Sequence, residues 1–380
     1  MFELTKQQKM LQKMAHDFAV NELEPIADQV DKEGEIPQET YDKLAKTGLL
    51  TLTAPREYGG GGWTDVEKVL TVKEIAKACA STGEMYAVHL LVVHILNLFG
   101  TEEQKKKYFA LSNEGKIGAF ALTESEAGSD AGGLQTTAVE DGDCYVLNGT
   151  KTFISNMGPK EGDYVIVFAL TDKAKKTHGG ITAFIVDRGT PGFRLGKLED
   201  KLGIRGAAVS ELIFEECRVP KSQIIGEVGK GFNVAMGGLD SGRVGISAQS
   251  CGIAEAAFEE ALEYSKTRKQ FGKPICANQG LAWYLAEMAT KIETANLISL
   301  KAADAAVKGD NASLYGSMAK FYCSETANEI VAKAVLIHGG YGFMKDYKVE
   351  RLYRDARILT IYEGSSEIQK LVISRILTSK

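Results

Sequence analysis

Apolar positions in the first third of the chain recur at helical spacing. Leu11, Met14, Ala15 and Phe18 follow Thr5-Lys6-Gln7-Gln8, a capping box in which a hydroxyl and an amide satisfy backbone donors at a helix start. Pro25 predicts either a break or the start of a turn. Further helices are expected over 39–47, 65–79, 85–98 and 102–111, with a loop over 54–62 that carries Gly59 to Gly62. Near Gly118 the pattern changes. Cys144-Tyr145-Val146-Leu147, Asn148-Gly149 and Lys151-Thr152-Phe153-Ile154 together predict a hairpin closed by an Asn-Gly turn. Runs over 164–170, 181–186 and 210–214 read as further strands, and the β region extends to about Pro220. From Phe232 the helical period returns. Segments 256–264, 283–292 and 319–330 lie on separate long helices, and four such helices with short connections predict a bundle. The chain is therefore expected to be mainly α with a central β domain: a helical domain over 1–117, a β domain over 118–225 and a bundle domain over 226–380.

Gly237, Gly238, Gly242, Gly245 and Gly252 crowd into one predicted helix. Each glycine inside a helix costs about 0.5–1 kcal/mol relative to alanine. Either the backbone there approaches another helix or a flat ligand closely, or the first few glycines belong to a loop.

Composition narrows the function classes. The 380 residues suggest two or three domains, and 44% hydrophobic with 25% charged content is that of a globular chain with large cores. A net charge of -5 gives no reason to expect nucleic acid, and no apolar run reads as a membrane span. The start, Met1-Phe2-Glu3-Leu4-Thr5-Lys6, lacks a basic segment followed by an apolar one, so a cytoplasmic, bacterial protein is expected. Six scattered cysteines without C-x-x-C spacing read as reduced thiols. His89 and His94 are five apart, too far round a helix for paired zinc ligation, and no metal is expected.

Two segments carry candidate chemistry. In Ile361-Tyr362-Glu363-Gly364-Ser365-Ser366-Glu367-Ile368-Gln369, Ser365 is a good N-cap, Glu367 suits the first turn, and Ile368, Leu371 and Val372 begin an apolar helical face. Glu363 thus stands on the loop before a helix, where a rigid element can hold a reactive acid or base towards a cavity. Phe120-Ala121-Leu122-Thr123-Glu124-Ser125-Glu126-Ala127-Gly128-Ser129-Asp130 is a short apolar strand running into a polar loop. Such a loop offers backbone N–H groups and hydroxyls to an anionic cofactor, but it lacks both Rossmann and Walker spacing.

This second segment resembles one signature of the acyl-CoA dehydrogenase family. Leu336-Ile337-His338-Gly339-Gly340-Tyr341-Gly342-Phe343, then Arg354-Asp355-Ala356-Arg357 and the Glu363 stretch, resemble another. Leu239-Asp240-Ser241-Gly242-Arg243 and Arg268-Lys269-Gln270-Phe271-Gly272-Lys273 match between them, in order, so the resemblance spans essentially the whole chain. It implies an N-terminal helical domain, a middle β-barrel domain and a C-terminal four-helix bundle. It also implies oxidation of an acyl-CoA to the trans-2-enoyl-CoA with bound FAD: a carboxylate removes the Cα proton while hydride leaves Cβ for flavin N5. Electron-transferring flavoprotein is the implied redox partner and a homotetramer, a dimer of dimers, the implied assembly.

Carried over position by position, the resemblance makes Glu363 the base. Some relatives carry the base just before the matched arginine, where this chain has Gly242, which cannot serve. Phe120, Leu122, Thr123, Gly128 and Ser129 are implied on the flavin side, with Ser129 also near the CoA. Phe153-Ile154-Ser155 is implied to flank the flavin ring, Ser155 near N5 and Phe153 in place of a frequent tryptophan. Asp240, Arg243 and Gly364 are implied substrate positions. Arg268, Phe271, Gln279, Leu336, His338, Gly339 and Gly340 are implied cofactor positions, several of them reaching the FAD of a neighbouring subunit, and Ser365 and Glu367 are placed on the cofactor side. The branch most resembled is the short-chain, butyryl type, and His89, Leu90 and Leu91 are expected where the acyl pocket closes. Enoyl-CoA reduction of a branched or aromatic acyl group, an acyl-CoA oxidase, and a non-catalytic flavoprotein scaffold remain as alternatives.

Overall fold

Thr5 Oγ1 accepts from Gln8 N (3.2 Å) and Gln8 Oε1 from Thr5 N (2.9 Å), closing the predicted capping box at the start of α1 (Lys6–Phe18) in the computed structural model, which describes residues 3–379. Pro25 does not end the helical path: it sits in a 3-10 turn, Glu24–Ile26, that leads into α2 (Ala27–Glu33). Then come α3 (Gln38–Lys46), α4 (Asp65–Ala78), α5 (Ala80–Phe99) and α6 (Glu102–Asn113). Capping boxes at Thr64 and Thr101 start α4 and α6. α5 is buried nearly all round, and it is the one helix among the described residues long and apolar enough to cross a membrane. Its apolar window is 78% buried inside the fold, as expected of a central core helix.

The middle strands are β1 (Gly118–Ala121), β2 (Thr137–Asp141), β3 (Cys144–Ser155), β4 (Tyr164–Leu170), β5 (Ile181–Asp187), β6 (Phe193–Leu198), β7 (Val209–Pro220) and β8 (Ile224–Ile225). They form one sheet in the order β6-β7-β3-β2-β4-β5-β8, with β1 added in parallel on β4. The sheet curls round an interior shared by its two halves: Ala121, Val165, Val167 and Phe184 pack with Leu147, Leu212, Phe214 and Val219. The other face of β4 and β5, through Ile166, Phe168 and Ile185, packs on α5 and α6. β4 is consequently buried at all seven positions, which explains its uninterrupted apolar run.

The predicted Asn-Gly hairpin does not form. β3 runs unbroken through Asn148 and Gly149, and the reversal falls earlier, at Gly142 (φ 61°), between β2 and β3. Asn148 instead holds the neighbouring strand: its Oδ1 accepts from Glu216 N (2.8 Å) and its Nδ2 donates to Glu216 Oε1 (2.8 Å). Gly149 marks a register shift against β7 and presses on Thr136, leaving no room for a Cβ. β2 and β6 were not among the predicted strands; β2 is mostly polar and exposed, and β6 offers only Phe193 and Leu195 to the core before Gly196 interrupts it.

The last part contains α7 (Gly231–Thr267, 37 residues), a small hairpin of β9 (Lys269–Gln270) and β10 (Lys273–Pro274), then α8 (Gln279–Lys308), α9 (Ala312–His338), α10 (Lys348–Ala356) and α11 (Ser366–Thr378). Three of these helices are long; the fourth member of the bundle, α11, is a 13-residue helix packed on α9. All five glycines of the crowded stretch lie inside α7 and none in a loop. Gly252 lets α7 approach the α4 backbone, and Gly238 lies against Ile95 of α5. Close helix approach is therefore the role of these two.

Arg354 clamps Asp31 through both guanidinium nitrogens (2.8 and 2.7 Å), and Asp355 Oδ1 accepts from Ile204 N (2.5 Å). α10 is thereby tied to both the first helices and the segment before β7, which fixes the loop that follows it.

Candidate active site

Ser365 caps α11, its Oγ accepting from Ile368 N at 3.4 Å, so Glu363 and Gly364 lie just outside the helix as expected. Glu363 holds φ at 52°, a left-handed conformation unusual for a residue with a side chain, and Gly364 follows at 89°. Two buried side chains impose this turn. Lys320 of α9 donates to Gly364 O at 2.6 Å, and Gln369 Nε2 donates to Glu363 O (3.0 Å) and Gly364 O (2.9 Å). Strain of this kind costs on the order of 1–3 kcal/mol and persists only where surrounding bonds over-determine it.

The turn drives the Glu363 carboxylate against Gly242. A Cβ at Gly242 would overlap Glu363 Oε2, and Leu91 of α5 closes the same space. Oε2 is buried and has no hydrogen-bond partner among the described residues. Burial pushes the Glu363 carboxyl up to about 7, although Arg243, Lys320 and Lys68 pull it down. These cations are otherwise engaged. Arg243 Nη1 donates to Asp240 Oδ1 (2.6 Å), Ser313 Oγ donates to the same carboxylate, and Lys68 donates to Ser241 O (3.0 Å) and pairs with Asp65. Burial lowers Lys320 to about 8.

A second group is a wall built by β1, its following loop and the end of β3. Lys151, fully buried, donates to Leu122 O (3.0 Å) and Glu124 Oε1 (2.8 Å). Glu124 also accepts from Gln135 N (2.6 Å) and Thr136 N (3.0 Å), and Thr152 N donates to Thr123 O (2.9 Å). This network holds Leu122 and Thr123 beside Thr152. A register shift between Lys151 and Ile154 throws Phe153 outward: it sits at φ 58° and is 66% exposed, while Ile154 is buried and Ser155 half-buried. Phe120 packs on Phe168 (centroids 5.1 Å apart) and against α7 near Gly238. Gly128 and Ser129 lie on the exposed loop. The hydroxyls of Thr136, Thr152 and Ser210 are buried without partners. An outward-turned aromatic ring beside a loop that offers backbone N–H groups and hydroxyls fits a flat heteroaromatic ring edged with acceptors, as a flavin is.

α5 joins the two groups. Asn156 Nδ2 donates to Met85 O (3.0 Å) and Gly118 O (3.2 Å), locking the residue after Ser155 onto α5. Gln249 Nε2 donates to Ala80 O (3.2 Å) and Gln249 Oε1 accepts from Tyr362 OH, linking the same helix to the residue before Glu363. Of His89, Leu90 and Leu91, expected where the acyl pocket closes, Leu91 adjoins the space between Gly242 and Glu363 and the other two do not. His89 is wholly buried, with Nε2 on Leu50 O (3.0 Å) and Nδ1 accepting from Gly118 N (3.1 Å), and Leu90 is in the N-terminal core. Sequence reasoning missed Lys320, Gln369, Lys151 and Glu84. None of these carried a visible signal: Lys151 stands between Thr150 and Thr152 in β3, and the other three lie on helices.

The remaining expected cofactor residues form a separate group. Arg268, His338, Gly339 and Gly340 line an open cavity of about 430 Å³ together with Tyr264 and Tyr341, and no residue around Glu363 lines it. Arg268 lies over the Tyr341 ring (5.4 Å) and His338 stacks on Tyr264 (4.2 Å). Phe271 on the β9–β10 turn is 95% exposed, Leu336 is 61% exposed, and Gln279 opens α8. Glu367 is exposed on the first turn of α11, where its own backbone N–H and Ser365 hold its carboxyl below the ordinary value.

Three family models match the chain: "Acyl-CoA dehydrogenase, N-terminal domain" over residues 5–116, "middle domain" over 119–217 and "C-terminal domain" over 229–378. An acryloyl-CoA reductase (NADH) of Anaerotignum propionicum is 47% identical over 98% of this chain and 95% of that protein. The caffeyl-CoA reductase-Etf complex subunit CarC of Acetobacterium woodii is 49% identical over 99% of each chain. The structure of butyryl-CoA dehydrogenase from Megasphaera elsdenii superposes with a TM-score of 0.96, at 42% identity and over 100% of both chains.

Proposed function

We infer the function from one premise: the chain belongs to the acyl-CoA dehydrogenase family. Its cofactor is therefore a flavin, which we propose to be FAD. The reaction proposed is the interconversion of a short-chain acyl-CoA and its trans-2-enoyl-CoA, with electrons exchanged with electron-transferring flavoprotein. The bound flavin supplies the acceptor, or in reverse the donor, of the hydride at Cβ.

The observation that carries this reading is the state of Glu363. A thioester α-proton is weakly acidic, and a carboxylate in water is too weak a base to take it. Burial raises Glu363 to about 7 while keeping Oε2 free of any hydrogen bond from the described residues. Oε2 is thus available to a carbon-bound proton at neutral pH. Gly242 gives the carboxylate room, and Lys320 and Gln369 fix the turn that aims it. Phe153, Ser155 and the Thr123 loop would hold the flavin ring on the far side of the acyl group. We assign substrate contacts to Asp240, Arg243, Gly364 and Ser129. Arg268, Phe271, Gln279 and the 336–340 segment are proposed to meet the FAD of a second subunit in a homotetramer. The exposure of Phe271, Leu336 and Phe343 in one chain is in keeping with a surface that is covered on assembly.

The enoyl-reducing direction has its own support, since two of the relatives are named as reductases of acryloyl-CoA and caffeyl-CoA. The test is anaerobic: butyryl-CoA should bleach the oxidised flavin, and crotonyl-CoA should reoxidise the reduced enzyme. Glu363→Gln should keep the flavin spectrum and lose both reactions. Undiminished turnover by that variant would sink the assignment, as would stoichiometric peroxide in air, which marks an oxidase.

A further inference from the structure

Glu84 is a second carboxylate held inside this site, and the mechanism above does not use it. It lies in the first turns of α5, fully buried, and neither of its oxygens has a partner in good hydrogen-bond geometry among the described residues. Its place is set by its neighbours. The carbonyl of the next residue, Met85, is held by Asn156, directly after Ser155 on the flavin-side wall. Ala80, one turn earlier, is tied through Gln249 to Tyr362, directly before Glu363. Glu84 therefore lies where the Ser155 wall and the Glu363 turn are both anchored to α5. The Ser155 hydroxyl is close enough to act on the carboxyl as a side-chain hydrogen bond, Lys201, Glu161 and Glu363 act on it through space, and Glu84 acts in turn on Tyr362 and Tyr41. Burial is the largest influence and pushes its carboxyl up to about 7.

Buried acids elsewhere in the molecule are satisfied. Glu124 accepts from a lysine and two backbone N–H groups, and Glu161 accepts from Tyr41 OH and from Ala208 N (2.9 Å). A buried carboxyl with acceptor capacity left unused forfeits stability. A ligand that brings a donor would satisfy it. Leu91 of α5 closes the space beside Glu363, and Glu84 lies two turns earlier on the same helix face, so an acyl group extending from Glu363 along that face would meet it.

We propose that Glu84 is a specificity-determining residue that binds a hydrogen-bond donor, an ammonium or a hydroxyl group, at the end of the acyl chain remote from the thioester. The proposal rests on the dehydrogenase reading above. The preferred substrate is then a polar-ended acyl-CoA. A plain alkyl chain leaves the carboxyl unsatisfied, and a chain ending in a carboxylate is repelled by it.

The test compares anaerobic flavin reduction by pentanoyl-, 5-hydroxypentanoyl-, 5-aminopentanoyl- and glutaryl-CoA on the FAD-loaded protein and on Glu84→Val and Glu84→Gln. On the parent, at least one donor-bearing thioester should exceed pentanoyl-CoA in kcat/KM by about tenfold, with glutaryl-CoA the poorest. A preference for the amine alone identifies an ionised Glu84 as partner, and a preference for both identifies a hydrogen bond without a need for charge. Glu84→Val should abolish the preference and raise the rate with pentanoyl-CoA. Glu84→Gln should keep discrimination for the hydroxyl and lose it for the amine. Equal rates with pentanoyl-CoA and both donor-bearing thioesters on the parent overturn the proposal, and that comparison needs no variant to fold. A preference unchanged in Glu84→Val overturns it as well. If no thioester reduces the flavin, the dehydrogenase reading itself has failed. If pentanoyl-CoA reduces it without a donor preference, only the role of Glu84 has.

Discussion

Glu124 and Glu363 are both carboxylates set beside a fully buried lysine, Lys151 and Lys320, and they end in opposite states. At Glu124 burial alone would raise the carboxyl, but Lys151 and hydrogen bonds from Thr136 and Gln135 outweigh it and hold the group below its ordinary value. At Glu363 burial prevails and the carboxyl rises to about 7. The lysines differ in aim. Lys151 donates directly to the carboxylate, whereas Lys320 donates to the carbonyl of Gly364 and acts on Glu363 only through space. Charge near a carboxylate does not make it inert; a hydrogen bond to its oxygens does. The first pair is structural, and the second leaves a base free.

The comparison can be broken most severely at Glu363. Glu363→Gln should lower flavin reduction by about 10²–10⁴-fold in stopped-flow traces, with flavin content unchanged. Gly242→Ala should come next: its methyl group displaces Oε2, and a loss of about tenfold or more is expected with the helix itself retained. Glu124→Gln should leave activity per bound flavin nearly intact but strand Lys151 as an unpaired buried cation. It should cost about 3–5 kcal/mol in urea unfolding. Lys320→Met should reduce kcat by a few-fold through a looser Glu363 turn. Removing that cation should also raise the apparent pKa of the base, so the acid limb of the rate profile, near 7 in the parent, moves to higher pH.

The smallest effect concerns stability against pH and has opposite signs at the two sites. Glu363 has a folded-state pKa near 7 against an ordinary 4.5. Its contribution to the fold is full below about 4.5 and is lost as pH rises through 7. Glu363→Gln should therefore gain on the parent between pH 5 and pH 8, by about 1–3 °C in Tm. Glu124 is shifted the other way, so its contribution is present above 4.5 and is lost as pH falls. The deficit of Glu124→Gln should shrink on acidification. A deficit that grew instead would show that Glu124 is not held ionised.

Much of the fold was legible because its signals are local. The capping box at Thr5, the helix start at Ser365 and the apolar run of β4 each report a physical preference of a few adjacent residues. The Asn-Gly at 148–149 misled for the same reason. Its turn preference is real, but cross-strand bonds from Asn148 to Glu216 and the pressure of Thr136 on Gly149 outweigh it, and no short window contains those partners. Lys320, Gln369 and Glu84 were invisible because each lies on an ordinary helical stretch. Only the partner, or the lack of one, distinguishes them.

The sequence by itself determined the helical–β–helical order, the loop position of Glu363 and the absence of a side chain at Gly242, since each depends on residue type and short spacing. The tertiary structure decided what those residues can do. It laid Glu363 Oε2 against Gly242 from more than a hundred residues away, turned Phe153 outward with a register shift, and buried Glu84 with no partner in good hydrogen-bond geometry among the described residues. Basicity and specificity are properties of an environment, and that environment exists only when distant segments exclude water together.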